Sequence, residues 1–314
     1  MSYYCNNFNC YNYNYNKKEK IVQEIIKIDD IDVSKYKSFQ NERWSKFLEN
    51  GEHTDVIFKC PDDDCSTGHR NILAHKIVIA SVSEVFETMF YGSLSENLKK
   101  EMDKIVVEIP DIKAPVFELM LRAIYGMFYF QTIPKETDEQ TLYELLYAAE
   151  KYQLKDLKNY LENQICKIVS YKNALKAFEF AEKHACTILE GKCLSIIEEN
   201  IHEIFKCDDI FTVQPETINK IFQFYCRNVE SDTYLINILQ RYIMKNKDVP
   251  EIEAKVRPAL NSIRFLTLDE FYIKTTILLT DEEIQEVLDV ICNRKTELTC
   301  GLSEKRNLRK VQPF

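Results

Sequence analysis

The 314-residue chain is long enough for about two domains, and its 45% hydrophobic and 29% charged residues can bury a core, which excludes global disorder. A formal net charge of -9 argues against non-specific nucleic-acid binding, because phosphates attract the opposite sign. The six glycines, Gly51, Gly68, Gly92, Gly126, Gly191 and Gly301, are too far apart to cradle a phosphate. Gly191-Lys192 has Cys186 where the upstream glycine would stand and Cys193 where Ser or Thr would, so most nucleotide chemistry is excluded.

From the N-terminus, Tyr3–Asn16 (YYCNNFNCYNYNYN) is a Tyr/Asn tract that cannot form a packed core, and a disordered tail is expected. It lacks the basic and apolar regions of a secretory signal, and no stretch approaches the roughly 18 apolar residues that span a membrane. Ile21–Val33 has mixed periodicity and could add a strand or a short helix. Asn41–Asn50 reads as a helix with Trp44, Phe47 and Leu48 on one face, closed by Gly51. Asp55–Cys60 reads as a strand with Val56 and Phe58 on one side, and a polar loop, Pro61–Gly68, leads to a second run at Asn71–Ala74. Ile77–Tyr91 is apolar and helical, with a break at Ser81 and Ser83 that separates two short helices. Ile105, Val107 and Ile109 alternate up to Pro110 as a third strand, and Pro115 opens a helix carrying Phe117, Met120, Leu121 and Ile124.

Beyond Thr141 apolar residues recur with helical spacing in one segment after another. The stripes are Leu142/Leu145/Leu146/Ala149, Ala174/Ala177/Phe178/Ala181, Ile218/Ile221/Phe222/Tyr225 and Leu235/Ile238/Leu239/Tyr242. Val256/Ala259/Leu260/Ile263 and Ile284/Val287/Leu288/Ile291 complete the series. Packed antiparallel helices follow from this, without the fixed period of a solenoid. The fold class is a small α+β domain followed by an all-α one.

Little in the chain carries chemistry. Its eleven cysteines read as reduced thiols of the cytosol or nucleus, most of them small buried hydrophobes. Cys60, Cys65 and His69 form a loose C-x4-C-x3-H spacing, more consistent with a solvated hairpin loop than with zinc. None of His53, His69, His75, His184 and His202 stands in an HExxH spacing, and there is no GxSxG elbow. His184 with Cys186 is weak support for a thiol–imidazole pair. The basic run Lys305–Lys310 is either a localisation patch or a solvated chain end. No catalytic residue and no cofactor are expected.

Several ordered motifs resemble the BTB/POZ domain: His53-Thr54-Asp55-Val56, Leu73-Ala74-His75-Lys76-Ile77-Val78-Ile79-Ala80, Ser83 and Phe86 through Met89-Phe90, and Val107 to Ile112. Phe117, Ala123-Ile124-Tyr125, Tyr147 to Tyr152 and Leu157 to Ile165 continue the likeness. Asn173-Ala174, Phe178, Ala181, Cys193-Leu194, Ile197 and Asn200 resemble the BACK domain that follows BTB in ubiquitin-ligase adaptors. Val256–Leu266 with Glu270-Phe271 is similar to the adaptors that carry a PHR domain next, and the chain stops about where that domain would begin. A tryptophan of that group is replaced here by Tyr242.

The resemblance implies a tail over 1–38, a BTB/POZ domain over 39–166, a BACK domain over 167–300 and a basic tail over 301–314. It implies a homodimer with Trp44, Phe47 and Leu48 at the contact, beside a charged pocket of Asp55 and Lys76; the plainer alternative is a strand-opening aspartate and a solvated lysine. It implies a cullin-3 contact at Leu94, Ser95 and Glu96, extended by Tyr125 and Tyr143 and by helices over Asn173–Asn200. The expected function is a cytoplasmic, or also nuclear, dimeric adaptor of a cullin-3 ubiquitin ligase that recruits an unknown protein substrate and binds neither nucleic acid nor membrane. A BTB scaffold for transcriptional recruitment, or a regulator competing with longer relatives, are the alternatives.

Overall fold

The computed structural model describes residues 39–93, 95, 98–126, 133–134, 136–226, 229 and 231–303. The Tyr/Asn tract, Ile21–Val33, Leu94, Glu96 and the basic run Lys305–Lys310 lie outside the described residues. The chain divides into two compact units, the first ending at Glu136 and the second opening at Thr137.

In the first unit, helix α1 (Phe39–Asn50) stops where its sequence says it should. The amide of Gly51 returns to the Leu48 carbonyl and that of Glu52 to the Phe47 carbonyl, with Gly51 at φ +66°. This paired return of the two amides past the helix end needs a left-handed residue, and glycine takes it without a Cβ penalty. Strand β1 (Val56–Pro61) runs antiparallel to β2 (His69–Ala74) in the register Val56↔Ala74. Helices α2 (Lys76–Ala80) and α3 (Glu84–Tyr91) follow, separated by Ser83, whose hydroxyl accepts the Phe86 amide at 3.2 Å. They form part of the crossover that lets β4 (Lys104–Glu108) lie parallel to β1. The sheet order is β2-β1-β4-β3. Phe58 of β1, fully buried, meets Phe117 of α4 (Ala114–Tyr125) at 4.7 Å between ring centroids and Phe86 at 5.8 Å, which makes an aromatic core between sheet and helices.

One strand was not expected. Strand β3 (Lys99–Glu101) pairs antiparallel with β4 through Glu101↔Lys104, and its residues are all exposed and charged. The two intervening residues, Met102 and Asp103, both have positive φ (49° and 64°). That is the turn geometry whose twist matches a two-residue hairpin, so pairing and turn make this strand without an apolar alternation.

The second unit is helical: α5 (Glu139–Lys151), α6 (Lys155–Ile168), α7 (Ala174–Lys183), α8 (Thr187–Glu199), α9 (Ile201–Lys206), α10 (Pro215–Lys220), α11 (Asp232–Lys245), α12 (Ile252–Lys255), α13 (Glu270–Thr275) and α14 (Asp281–Ile291). The expected stripes of α5, α7 and α11 are buried throughout. Tyr242 sits in that core at 1% exposure and its hydroxyl donates to the Val213 carbonyl at 2.6 Å. Burial, with Glu179 nearby, pushes its phenol up to about 12.

Three stripes are modified. Helix α10 widens into a π turn over Ile221–Tyr225, which leaves Phe224 exposed beside buried Ile221 and Phe222. Val256–Ile263 is not an α-helix: Arg257–Ser262 is a 3₁₀ segment with Ala259 N bonded to Val256 O at 3.0 Å. Pro258 has no N–H and its ring clashes with the carbonyl four residues back, so the tighter turn replaces the α-turn. On α14 the buried face is Glu286, Val287 and Val290, and Ile291 is exposed, because Glu286 turns inward to hold the following segment.

Two charged side chains set the spacing of α5 to α8. Glu162 of α6, at 1% exposure, accepts the amides of Ile188 and Leu189 at 2.8 and 3.0 Å, which satisfies free donors at the start of α8. Lys158 of α6 reaches Glu150 at 2.5 Å and the carbonyls of His184 and Ala185 at 3.3 and 2.7 Å, closing the end of α7. α6 is thereby bonded to the helices that follow it.

Candidate protein-docking site

The first candidate surface is built around His75. Its Nε2 lies 2.7 Å from the Glu52 carbonyl, which can only accept, so Nε2 carries the proton. Its Nδ1 lies 2.8 Å from the Tyr125 hydroxyl, which donates to that nitrogen and accepts the His75 amide at 2.8 Å. The imidazole therefore ties the end of α1 to α4, and the rings of Trp44 and Phe47 stand 6.0 and 6.3 Å from it. Trp44, Phe47 and Leu48 are half-buried, each keeping a part of its surface open.

Asp55 and Lys76 are brought together as expected, but in an open setting. The Asp55 carboxylate accepts the Lys76 backbone amide at 2.8 Å, filling a free donor at the start of α2, and lies 3.6 Å from the Lys76 ammonium. Their side chains are 45% and 22% exposed, so in the single chain the pair is not buried. The neighbouring Ile77 is 62% exposed and Tyr91 54%. Burial, then the charge of Asp55, raises the Tyr91 phenol above its ordinary value. Sequence reasoning missed Ile77; its apolar run, Ile77–Ala80, reads as core until the helix shows which member faces out.

Of the expected cullin contacts, Ser95 is half-buried at the turn after α3, its amide bonded to the Gly92 carbonyl at 3.1 Å. A Cβ at Gly92 would overlap the Thr88 carbonyl, so the chain can leave α3 in this direction only with glycine there. Tyr125 requires a correction. It is fully buried and its hydroxyl serves His75 twice, so it has no surface to offer a partner. Burial raises its phenol far above the ordinary value.

Tyr143 instead belongs to a second surface, wholly within the helical unit. Tyr143 and Tyr147, one turn apart on α5, face Phe180 and His184, one turn apart at the end of α7. Centroid distances are 4.8 Å for Tyr143–Phe180, 5.4 Å for Tyr147–His184 and 4.4 Å for Phe180–His184. They floor an open groove of about 560 Å³ whose rim carries Glu139, Glu144, Asn173 and Lys176. Asn173 bonds Glu139 at 2.9 Å across it. Burial, then Lys183, lowers the His184 imidazole below its ordinary value, so His184 is a neutral aromatic wall near neutrality. Phe180 was not picked out in the sequence, and Tyr147 and His184 were read otherwise, as part of the BTB likeness and as a weak thiol–imidazole candidate, although the i, i+4 aromatic pairs were there to see.

Cys60 is fully buried in β1, while Cys65 donates to Asp62 at 3.3 Å and the exposed His69 stands 3.2 Å from the Thr67 carbonyl. Burial would raise the Asp62 carboxyl, but bonds from the Asp64 amide, Cys65 and Arg70 outweigh it and hold it low, locking the hairpin. Among the described residues no three such ligands group around a metal position. Cys186 points its thiol at the His184 backbone oxygen at 3.5 Å, not at the imidazole, and burial pushes that thiol up to about 12. It is a core thiol, not an activated one.

Known proteins explain the arrangement. The BTB/POZ domain family matches residues 44–169, and the BACK family, described as BTB And C-terminal Kelch, matches residues 174–278. A BTB/POZ domain-containing protein of Arabidopsis thaliana is 30% identical over 175 residues, covering 55% of this chain and 67% of that one. BTB/POZ and MATH domain-containing protein 6 of the same plant is 26% identical over 57% of this chain and 44% of its own length. Human Kelch-like protein 28 is 28% identical over 64% of this chain and 34% of its own. Beyond the first of these, then, the chain spans less than half of each relative. With the sheet, the crossover helices and the helical extension in the order these matches require, the chain belongs to the BTB/POZ family and carries a BACK domain directly after its BTB module.

Proposed function

We propose that the protein is a dimeric adaptor that docks a cullin-3 scaffold and brings a protein substrate to it, performing no chemistry of its own. The observation that carries this is the open aromatic groove over Glu139–His184, where the end of the BTB match meets the start of the BACK match. BTB–BACK proteins are typically adaptors or scaffolds, and Kelch-like proteins are among the relatives of this chain. Half-exposed aromatic anchors inside a polar rim are the usual form of a protein interface. An adaptor acts by raising the effective concentration of one partner near another. The test is co-purification of the full chain with a cullin-3 N-terminal fragment, with Leu94→Asp and Glu96→Ala weakening capture. If the parent chain captures none, the reading fails.

The dimer half of the proposal concerns Trp44, Phe47, Leu48 and Ile77. BTB domains generally dimerise, and a two-fold contact covers such a patch with its own copy. The double change Asp55→Ala with Lys76→Ala removes both the pair and the acceptor at the start of α2. We expect light scattering to report monomer or aggregate, and an unchanged dimer mass would sink the assignment of this pair to the contact.

A further inference from the structure

The groove floored by Tyr143, Tyr147, Phe180 and His184 has two walls, α5 and α7, that hardly pack on each other. Among the described residues the two helices meet through side chains, with little close approach of their backbones. Helix α7 packs on α8, α8 on α6 and α6 on α5, so backbone packing fixes one wall against the other only through two intermediaries. What bridges the walls directly then decides how well the floor is held together.

There is a bridge at each end. Where both helices start, Asn173 donates to the Glu139 carboxylate at 2.9 Å, an exposed bond. At the far end Lys158 of α6 bonds both walls with one ammonium: Glu150 of α5 at 2.5 Å, and the carbonyls of His184 and Ala185 at the end of α7 at 3.3 and 2.7 Å. Tyr143, Tyr147 and Glu150 stand at i, i+4 and i+7, so the carboxylate held by Lys158 continues the aromatic stripe of α5. On α7 one of the two carbonyls belongs to His184 itself. The Lys158 side chain is only 16% exposed, and a charge-assisted bond shielded from water is stronger than an exposed neutral donor's. Ala185 takes φ +50°, a left-handed conformation that an alanine keeps only when its surroundings impose it, and its carbonyl is the nearer of the two.

We propose that Lys158 is the positioning residue of the groove: by tying Glu150 to the end of α7 it holds the His184 ring against Tyr147, so that the aromatic floor is continuous before a partner arrives. A floor ordered in advance spares the partner the cost of ordering it. The inference rests on the groove being the docking surface, and adds that docking strength depends on a lysine outside the groove's own lining.

The test uses the full chain with Lys158→Met, with Glu150→Ala and with both. Glu150→Ala cuts the bridge at one wall and leaves Lys158 on the end of α7; its side chain is 38% exposed, so this variant keeps the test valid if Lys158→Met fails to fold. In the unbound chain with isotope-labelled aromatic rings, magnetic cross-relaxation between Tyr147 and His184 should be clear in the parent and weakened in both single variants, while that between Phe180 and His184, neighbours on one helix, persists. Capture of a cullin-3 N-terminal fragment should weaken roughly tenfold in Lys158→Met and roughly fivefold in Glu150→Ala. The double variant should lose no more than Lys158→Met, because the two changes cut one bridge. A lysine that only closed α7 would leave the ring contact and the capture of Glu150→Ala at parent values, and that result overturns the proposal. So do losses that multiply in the double variant, or a weakened ring contact with capture at full strength. A parent chain that captures no fragment refutes the reading of the groove instead, and the ring contact alone then decides whether Lys158 holds the wall.

Discussion

Changing His75 to alanine will release α1 from the sheet domain. The imidazole bridges the Glu52 carbonyl and the Tyr125 hydroxyl, and it sits under Trp44 and Phe47. Its removal leaves a ring-sized void, takes from the buried Tyr125 hydroxyl the acceptor of its proton while the residue-75 amide still bonds it, and frees the part-buried Glu52 carbonyl. Together these cost roughly 3–5 kcal/mol, the scale of an aromatic truncation in a core or of an orphaned hydrogen-bond group added to a cavity. The chain has one tryptophan, Trp44, so its fluorescence reports α1 alone. A red-shifted emission and an earlier denaturant midpoint are expected, and the proposed dimer should be lost with them, because the patch on α1 assigned to it is no longer held in place. Tyr125→Phe should act in the same direction and by less, about 1–3 kcal/mol, since only the hydroxyl goes. Unshifted Trp44 emission in His75→Ala would show that α1 is held by its ring contacts and not by this bond.

The second large effect is expected in the groove. Phe180→Ala and Tyr147→Ala should each weaken capture of a cullin-3 N-terminal fragment by roughly 30-fold, about 2 kcal/mol, the loss found when a central aromatic anchor is truncated. Both residues are half-buried, so the thermal midpoint should move less than for a core aromatic, and the proposed dimer should keep its mass. Calorimetric titration separates the outcomes. Affinity within twofold of the parent would remove the groove from the interface even if the fragment binds elsewhere.

The elements that could be read in advance are those where local pattern and tertiary burial agree. The stripes of α5, α7 and α11 are one-sided and are buried on that side; Gly51 and Pro115 punctuate helices where their backbone chemistry allows nothing else. The failures have a common cause, which is that partners distant in sequence decided them. β3 exists because β4 pairs with it. The face of α14 turned because Glu286 found Thr299. Tyr125 was placed at the cullin contact by likeness, and nothing near it in the chain shows that its hydroxyl meets a histidine 50 residues away. The groove was half legible: Tyr143 was named and Tyr147 stands one turn on in the same helix, but Phe180 and His184 come from a helix whose apposition only folding reveals. Where the site residues were read from likeness alone, the geometry redistributes them, moving Tyr125 inward and adding Ile77, Tyr147, Phe180 and His184 at the surface.

The three charged residues of β3 have one more consequence. A sheet edge with unpaired amides and carbonyls invites a strand from another molecule, and natural sheets guard such edges with short strands and lysines. Here one border is Lys99-Lys100-Glu101, exposed throughout, and the other is β2, whose outer half, His69-Arg70-Asn71, is polar. Neither border gives an apolar template for fibre growth. The chain is thus insulated against association by cross-β stacking by the least hydrophobic strand among the described residues.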